Sequence, residues 1–347
     1  MQILNKKDKR KKFGLLKEIP QVISQDYNSP AVLKQGTKEW KSTCIGCVEP
    51  KCMQYSLDEI TSNNFEDFPC DRSTNVCPVS AITWNNELEI PSINNKLCVG
   101  CGICARRCPL GAIYIKNGKV IVSYDENSRT LLENEKVAGE KQNKQISTVS
   151  NIKWVHHFTK ESDDIMADIY SAIQEYDGRS NAQRLMVRNL IIALGYDCAI
   201  SRQGDVYTRM DGVFSGEDAN GAVEIEFGSD TLEASRNILD DIAVMNSRFG
   251  LTVSDNTPLV VCLSLPNKRQ GYFQVIKDIK KVLGVEVQTF SLGSLLLLCW
   301  NGKSIKLSNK DYYLDFDNLS LRDAIESAIG RKINISNGYI GILEPEK

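Results

Sequence analysis

Cys98-Val-Gly-Cys101-Gly-Ile-Cys104-Ala-Arg-Arg-Cys108-Pro109 sets four cysteines at spacings of two, two and three residues and closes them with proline. Tight turns between the first three cysteines point their sulfurs at one centre, and the proline helps end the local helix. An earlier run is less regular: Cys44-x2-Cys47-x4-Cys52, then Cys70, then Cys77-Pro78. Val79-Ser80-Ala81-Ile82 after Cys77-Pro78 mirrors Leu110-Gly111-Ala112-Ile113 after Cys108-Pro109, an internal repeat. Nine of the twelve cysteines fall between Cys44 and Cys108, while Cys198, Cys262 and Cys299 are scattered in apolar surroundings and read as buried small hydrophobes. The N-terminus lacks the apolar stretch of a signal peptide and reads Lys6, Lys7, Lys9, Arg10, Lys11, Lys12, so a cytoplasmic protein is expected. Clustered cysteines in such a chain point to metal rather than disulfides. Zinc also uses C-x2-C pairs, but it does not account for the Cys-Pro repeats or the C-x2-C-x2-C triplet.

The chain has 347 residues, enough for two domains with cores of their own. With 42 basic and 44 acidic residues the net charge is −2, so nucleic acid would have to be bound through local patches. The basic N-terminus is one such patch, or simply a solvated tail. The longest apolar run, around Leu295 to Trp300, is too short to span a bilayer, and no membrane partner is expected. Composition divides the chain into a basic extension (1–40), a cysteine-bearing region (41–124), a polar linker (125–160) and a regular α/β region (161–347). Ile82–Trp84 and Val120–Tyr124 read as short strands within the second of these.

Within the α/β region, Met186, Leu190, Ile191 and Leu194 recur at helical spacing and stop at Gly195. Tyr196–Ser201, Val206–Ser215 and Ala222–Phe227 read as strands. Asp230 and Glu233 form a variant capping box that opens a helix with Leu232, Ile238, Leu239, Ile242 and Met245 inward, ending near Gly250. Leu259–Leu265 is a continuous apolar run closed by Pro266, as in a buried parallel strand. A helix from Gly271 to Leu283 and a strand from Val285 to Phe290 follow, which together imply a central sheet flanked by helices.

The cysteine runs resemble those of dicluster ferredoxins, in which the first three thiolates of a run bind one [4Fe-4S] cluster and the fourth reaches its neighbour. That family also uses a C-x2-C-x4-C form with proline in the longer gap, where Pro50 stands. The resemblance implies an α+β ferredoxin-like module with two [4Fe-4S] clusters. One would be held by Cys44, Cys47, Cys52 and Cys108, the other by Cys98, Cys101, Cys104 and Cys77. The departure is an insertion of about twenty residues between Cys52 and Cys77, where the family usually has three. Cys70 is left over, or replaces Cys52 as third ligand.

Asp211-Gly212-Val213 is followed by Glu224-Ile225-Glu226-Phe227, and strand alternation puts Glu224 and Glu226 on one face. Two neighbouring acids on a sheet face are costly unless solvated or bound to a cation. The stretch resembles the PD-(D/E)xK nuclease superfamily, whose core runs helix, strand with Asp, strand with (Asp/Glu)-x-Lys, helix, strand. The resemblance implies an α/β restriction-endonuclease-like domain in which Asp211 and Glu224 hold Mg or Mn for DNA cleavage, with Glu226 in the place of the lysine. Arg236 on the following helix is the cation expected to stand in for that lysine, and Glu175 and Gln183 are outer-ligand candidates. Walker and dinucleotide-binding glycine motifs are absent, and His156-His157 are the only histidines, which argues against a His-dependent site. Three functions follow as alternatives: an iron–sulfur DNA endonuclease in prokaryotic defence or processing, a ferredoxin-type electron carrier whose α/β domain docks a redox partner, or an inert nucleic-acid-binding module. A redox or defence-system protein is the further partner expected.

Overall fold

The computed structural model describes residues 21–22, 32–35, 38–41, 44, 47, 49–108, 112–116, 119–122, 170, 172–173, 181–205, 208–228, 231–302, 304–335 and 341–345. In chain order the elements are β1 (Gln21–Val22), β2 (Val32–Gln35), β3 (Lys38–Lys41), α1 (Leu57–Thr61), β4 (Ile82–Asn85), β5 (Ile90–Ile93), α2 (Ile103–Arg107), β6 (Ile113–Lys116) and β7 (Lys119–Val122). They continue with α3 (Ala182–Ala193), β8 (Asp197–Ile200), β9 (Gly212–Ser215), β10 (Asn220–Glu226), α4 (Thr231–Phe249), β11 (Leu259–Cys262), α5 (Tyr272–Leu283), β12 (Gln288–Ser291), α6 (Leu292–Trp300) and α7 (Arg322–Ile329). The basic tail before Gln21, the polar stretch 125–160, His156-His157, Glu175 and Asp230 lie outside the described residues.

The chain divides into two compact units, one of Met1–Gln54 with Val79–Ile165 and the other of Tyr55–Pro78 with Met166–Lys347. The first holds three antiparallel ladders: β1-β2-β3, β4-β5 and β6-β7. Two of them express the internal repeat. Ala81-Ile82 and Ala112-Ile113 both stand at the start of a hairpin, and all four side chains are buried. The β1-β2-β3 ladder has no counterpart in the sequence reading, because the charged stretch 32–41 gives only a weak alternation.

The second unit is built on a five-stranded mixed sheet in the order β12-β11-β10-β9-β8. β8, β9 and β10 pair antiparallel, and β10, β11 and β12 pair parallel. Parallel neighbours need crossovers, which α4 and α5 supply, and these two helices also pack on each other. α3, α6 and α7 form the other helical set around the sheet. The central parallel strand β11 is apolar throughout because both its faces are covered: all four of its residues are buried. Val206 and Tyr207, at the start of the expected strand, lie outside the described residues; strand is observed from Gly212, and Asp205 Oδ1 accepts the Thr208 N–H at 3.2 Å. α6 is wholly buried, and its Ser291 N-cap oxygen accepts the Ser294 N–H at 3.0 Å.

The insertion between the cysteine runs belongs to this second unit. α1 packs on β8, and the Phe65 and Phe249 rings meet edge to face at 5.6 Å between centroids. Cys70 bridges Ser201 antiparallel, with Asp71 N–H donating to Ile200 O at 2.8 Å and Arg202 N–H to Pro69 O at 2.9 Å. These bonds extend the sheet edge beyond β8. Asn181 Nδ2 donates to Asp71 Oδ2 at 2.7 Å, and Asn189 Nδ2 donates to the carbonyls of Asn75 and Val76. The excursion is thus held by backbone and amide bonds rather than left as a solvated loop.

Candidate functional sites

The first site is the cysteine centre of the first unit. Cys44 and Cys52 are buried, Cys47 and Cys108 half-buried. Burial, then the sulfurs of Cys108, Cys52 and Cys47, push the Cys44 thiol well up, and Cys52 is pushed up to about 12 by burial, Cys108 and Cys47. Cys47 and Cys108 thus lie near both buried thiols. Cys108, from the far run, is the strongest electrostatic neighbour of both buried thiols of the near run. Cys47 N–H donates to Cys44 O at 3.2 Å, closing the first turn, and Ala112 N–H donates to Cys108 Sγ at 3.2 Å. Arg107 Nε binds the Lys51 carbonyl at 3.0 Å, fastening the two runs together. The donor set is soft thiolate with backbone N–H aimed at sulfur, which fits an iron–sulfur cluster.

Cys98 and Cys101 lie in irregular chain and Cys104 in α2, the last two buried and Cys98 half-buried. Gly100 and Gly102 lie between them at φ 73° and 74°, a conformation glycine adopts at no steric cost. Gly102 is also the N-cap of α2, so the helix begins beside Cys104. Cys77 and Cys70 belong to the second unit's inserted segment, where both are half-buried.

The second site is the acid group of the sheet. β9 and β10 pair Gly212 with Val223, and the same register continued by one residue sets Asp211 opposite Glu224. Asp211 Oδ2 accepts the Ile225 N–H at 3.0 Å, so its carboxylate takes the place of the next ladder carbonyl. Gly212 is required here: a Cβ would stand 2.7 Å from the Ala199 carbonyl oxygen of β8. Glu224 is buried, and its Oε1 accepts from Asn237 Nδ2 of α4 at 2.8 Å. Burial, then Asp211 and Glu226, raise its carboxyl to about 7 against the amide of Asn237 and the charge of Arg184. Glu226, half-buried at the end of β10, folds back so that Oε1 accepts the Gly228 N–H at 2.5 Å.

Arg236 does not face these acids through any ion pair; it pairs with Glu233 at 2.8 Å, with its side chain 60% exposed. It stands one residue before Asn237 and so is turned about 100° away around the helix. The guanidinium that meets the acids is Arg184 of α3, 3.2 Å from Asp211 Oδ1 and 2.8 Å from its carbonyl oxygen, and also bonded to Ser201 Oγ. Gln183 is half-buried on the same helix. Asp241 of α4 is buried, and burial, then Glu224 and Asp211, push it up to about 8. Arg184, Asn237 and Asp241 were not apparent from the sequence. The signal for the last two was polar side chains at 237 and 241 interrupting the apolar stripe of 234, 238, 242 and 245. Among the described residues, no three histidine, cysteine, aspartate or glutamate side chains are drawn close enough to hold a single metal ion as they stand.

Residues 91–114 match the 4Fe-4S binding domain family. A ferredoxin-type iron–sulfur segment is therefore part of this chain, and it contains Cys98, Cys101, Cys104 and Cys108. Among curated relatives, an uncharacterized ferredoxin of Methanocaldococcus jannaschii is 44% identical over 52 residues, 15% of this chain and 31% of that protein. An uncharacterized ferredoxin-like protein of Escherichia coli, YdhY, is 33% identical over 67 residues, 19% of this chain and 22% of its own length. Hydrogenase-4 component A of Escherichia coli is 39% identical over 54 residues, 16% of this chain and 24% of that protein. The chain thus spans less than a third of the length of these relatives. No solved structure matches it. No helix among the described residues is long and apolar enough to cross a membrane.

Proposed function

We propose that this is an iron–sulfur protein with two [4Fe-4S] clusters and an α/β unit that cleaves DNA with Mg or Mn, in prokaryotic DNA defence or processing. The observation that carries the nuclease part is Asp211 set opposite Glu224 at the open end of β9 and β10. This reading is supported by the element order α3, β9 with Asp211 before it, β10 with Glu224, α4 and β11, which is the order expected from the resemblance, with β8 as an additional strand. Carboxylates suit a hard divalent cation. Such an ion, when bound, orients water and offsets charge developing on a scissile phosphate. Asp211 and Glu224 hold that ion, Asn237 fixes the rotamer of Glu224, and Arg184 sets the position of Asp211. The cluster ligands in this reading are Cys44, Cys47, Cys52 and Cys108 for one and Cys98, Cys101, Cys104 and Cys77 for the other.

Anaerobic purification with iron and sulfide counts, followed by cleavage assays on single- and double-stranded DNA with Mg²⁺ or Mn²⁺, tests this reading. Cleavage lost in Asp211→Ala and Glu224→Ala supports it; cleavage that survives both changes sinks the site.

A second reading is favoured by the ferredoxin match and by a relative named as a hydrogenase component. Here the clusters relay electrons and the α/β unit docks a redox partner. Reversible reduction of both clusters by a physiological donor, with no metal-dependent cleavage, selects it.

A further inference from the structure

β10 and β11 run parallel and in register, with Glu226 beside Cys262 and the Leu263 N–H donating to Glu226 O at 3.2 Å. The loop that leaves β11 therefore starts at the end of the sheet that carries Asp211, Glu224 and Glu226. It reads Pro266-Asn267-Lys268-Arg269-Gln270-Gly271, and hydrogen bonds hold its backbone. Asn267 Oδ1 accepts the Arg269 N–H at 2.9 Å, and the Asn267 carbonyl accepts the Gln270 N–H at 3.0 Å. Thr231 Oγ1, on the first residue of α4, donates to Gln270 Oε1 at 2.8 Å. Lys268 and Arg269 are exposed on this ordered turn. The arginines of the neighbouring elements are committed elsewhere: Arg184 to Asp211 and Ser201, Arg202 to Asp205, Arg209 to Asp240 and Arg236 to Glu233. Among the described residues neither Lys268 nor Arg269 has an acidic partner.

We propose that Lys268 and Arg269 bind backbone phosphates of the DNA presented to Asp211 and Glu224. This rests on the DNA-cleaving reading above and adds the surface that holds the substrate beside its acids. Three carboxyl side chains at one sheet end repel a polyanion, and a chain of net charge −2 has no overall field to offset them. Attraction must therefore come from cations local to that end. Lys268 and Arg269 supply it without first breaking an ion pair, and the turn that carries them is already ordered. The lysine acts as a point charge, and the guanidinium fork suits two oxygens of one phosphate. Contacts of this kind fix where the strand lies and carry no sequence information.

Fluorescence anisotropy of a labelled DNA duplex with the full-length protein tests this, without divalent cations so that nothing is cut, over roughly 50 to 200 mM salt. Lys268→Gln combined with Arg269→Gln should weaken binding at least roughly tenfold at the low-salt end. The same double variant should lower the slope of log affinity against log salt by about 2, equally for two unrelated sequences. Lys277→Gln, which removes an α5 cation paired with Asp317, should leave affinity and slope unchanged. Circular dichroism confirms that each variant is folded. Metal-dependent cleavage by the unmodified protein, with affinity and slope unchanged in the double variant or lowered equally by Lys277→Gln, overturns the loop and leaves the nuclease reading standing. The expected loss of binding, with no metal-dependent cleavage by the unmodified protein, upholds the loop and sinks the nuclease site. Absence of DNA binding by the unmodified protein overturns both.

Discussion

Replacing Asp241 by asparagine keeps the side chain's shape while removing a carboxyl from a site that is 1% exposed. In the folded chain burial, then Glu224, Asp211 and Asp240, push that carboxyl from 3.8 up to about 8. Glu224 moves from 4.5 up to about 7 for similar reasons. Both folded values lie above the unfolded ones. Between about pH 4 and pH 8 the folded chain therefore keeps protons that the unfolded chain has released, and stability declines as pH rises through that window. A shift of about four units is worth about 5–6 kcal/mol at most. Asp241 and Glu224 raise each other, and relaxation offsets part of the cost, so a gain of about 2–3 kcal/mol for Asp241→Asn at pH 8 is expected. That corresponds to about 5–10 °C in Tm for a unit of this size. At pH 5 the native carboxyl is protonated, and the two proteins should agree within about 1 kcal/mol. Anaerobic thermal and urea unfolding at both pH values, with divalent cations removed, measures this. A variant that is equally destabilised at pH 5 and pH 8 would refute the picture of a buried, uncompensated acid.

Four further outcomes are expected. Cys108→Ser should lower iron and sulfide by about four each per chain, one cluster's worth, while Cys70→Ser leaves both counts unchanged. Arg184→Met removes a charged donor from Asp211 and should cost about 2–3 kcal/mol, read as a lower urea midpoint at unchanged m. Gly212→Ala meets the Ala199 carbonyl at 2.7 Å and should destabilise by about 1–3 kcal/mol while displacing Asp211, read as a lower Tm together with weaker Mn²⁺ binding. Leu297→Ala in the wholly buried α6 should cost about 2–5 kcal/mol in urea unfolding, with iron content unchanged.

Much of the second unit was legible in the sequence. α3, α4 and α5 follow their apolar spacing, and β11 lies where a continuous apolar run ends before proline. The repeat at Ala81-Ile82 and Ala112-Ile113 also recurs as paired hairpins. α6 was not legible as a helix, because Leu292–Trp300 is apolar on every side and carries no period. The partners of the acids were hidden for another reason. Asp211 and Glu224 stand in one local hairpin, but Arg184 and Asn237 reach them from helices, and only tertiary packing chooses which polar side chain of a helix turns inward. The same holds for Arg236, which pairs with Glu233 one turn earlier instead of meeting the sheet. The excursion 55–78 carries ordinary loop composition, and its edge pairing at Cys70 with Ser201 involves residues 131 positions apart.

That excursion also fixes an order of events during synthesis. Tyr55 precedes its partner Asn189 by 134 residues, and Asn64 precedes Asn220 by 156. At roughly 5–20 residues per second, a growing chain exposes this segment for about 7–30 s before its partners emerge. Cys70 waits for its Ser201 partner throughout that interval, whereas Cys44, Cys47, Cys52 and Cys108 leave the ribosome within a span of 65 residues. Those four thiols can therefore meet while the α/β unit is still being made.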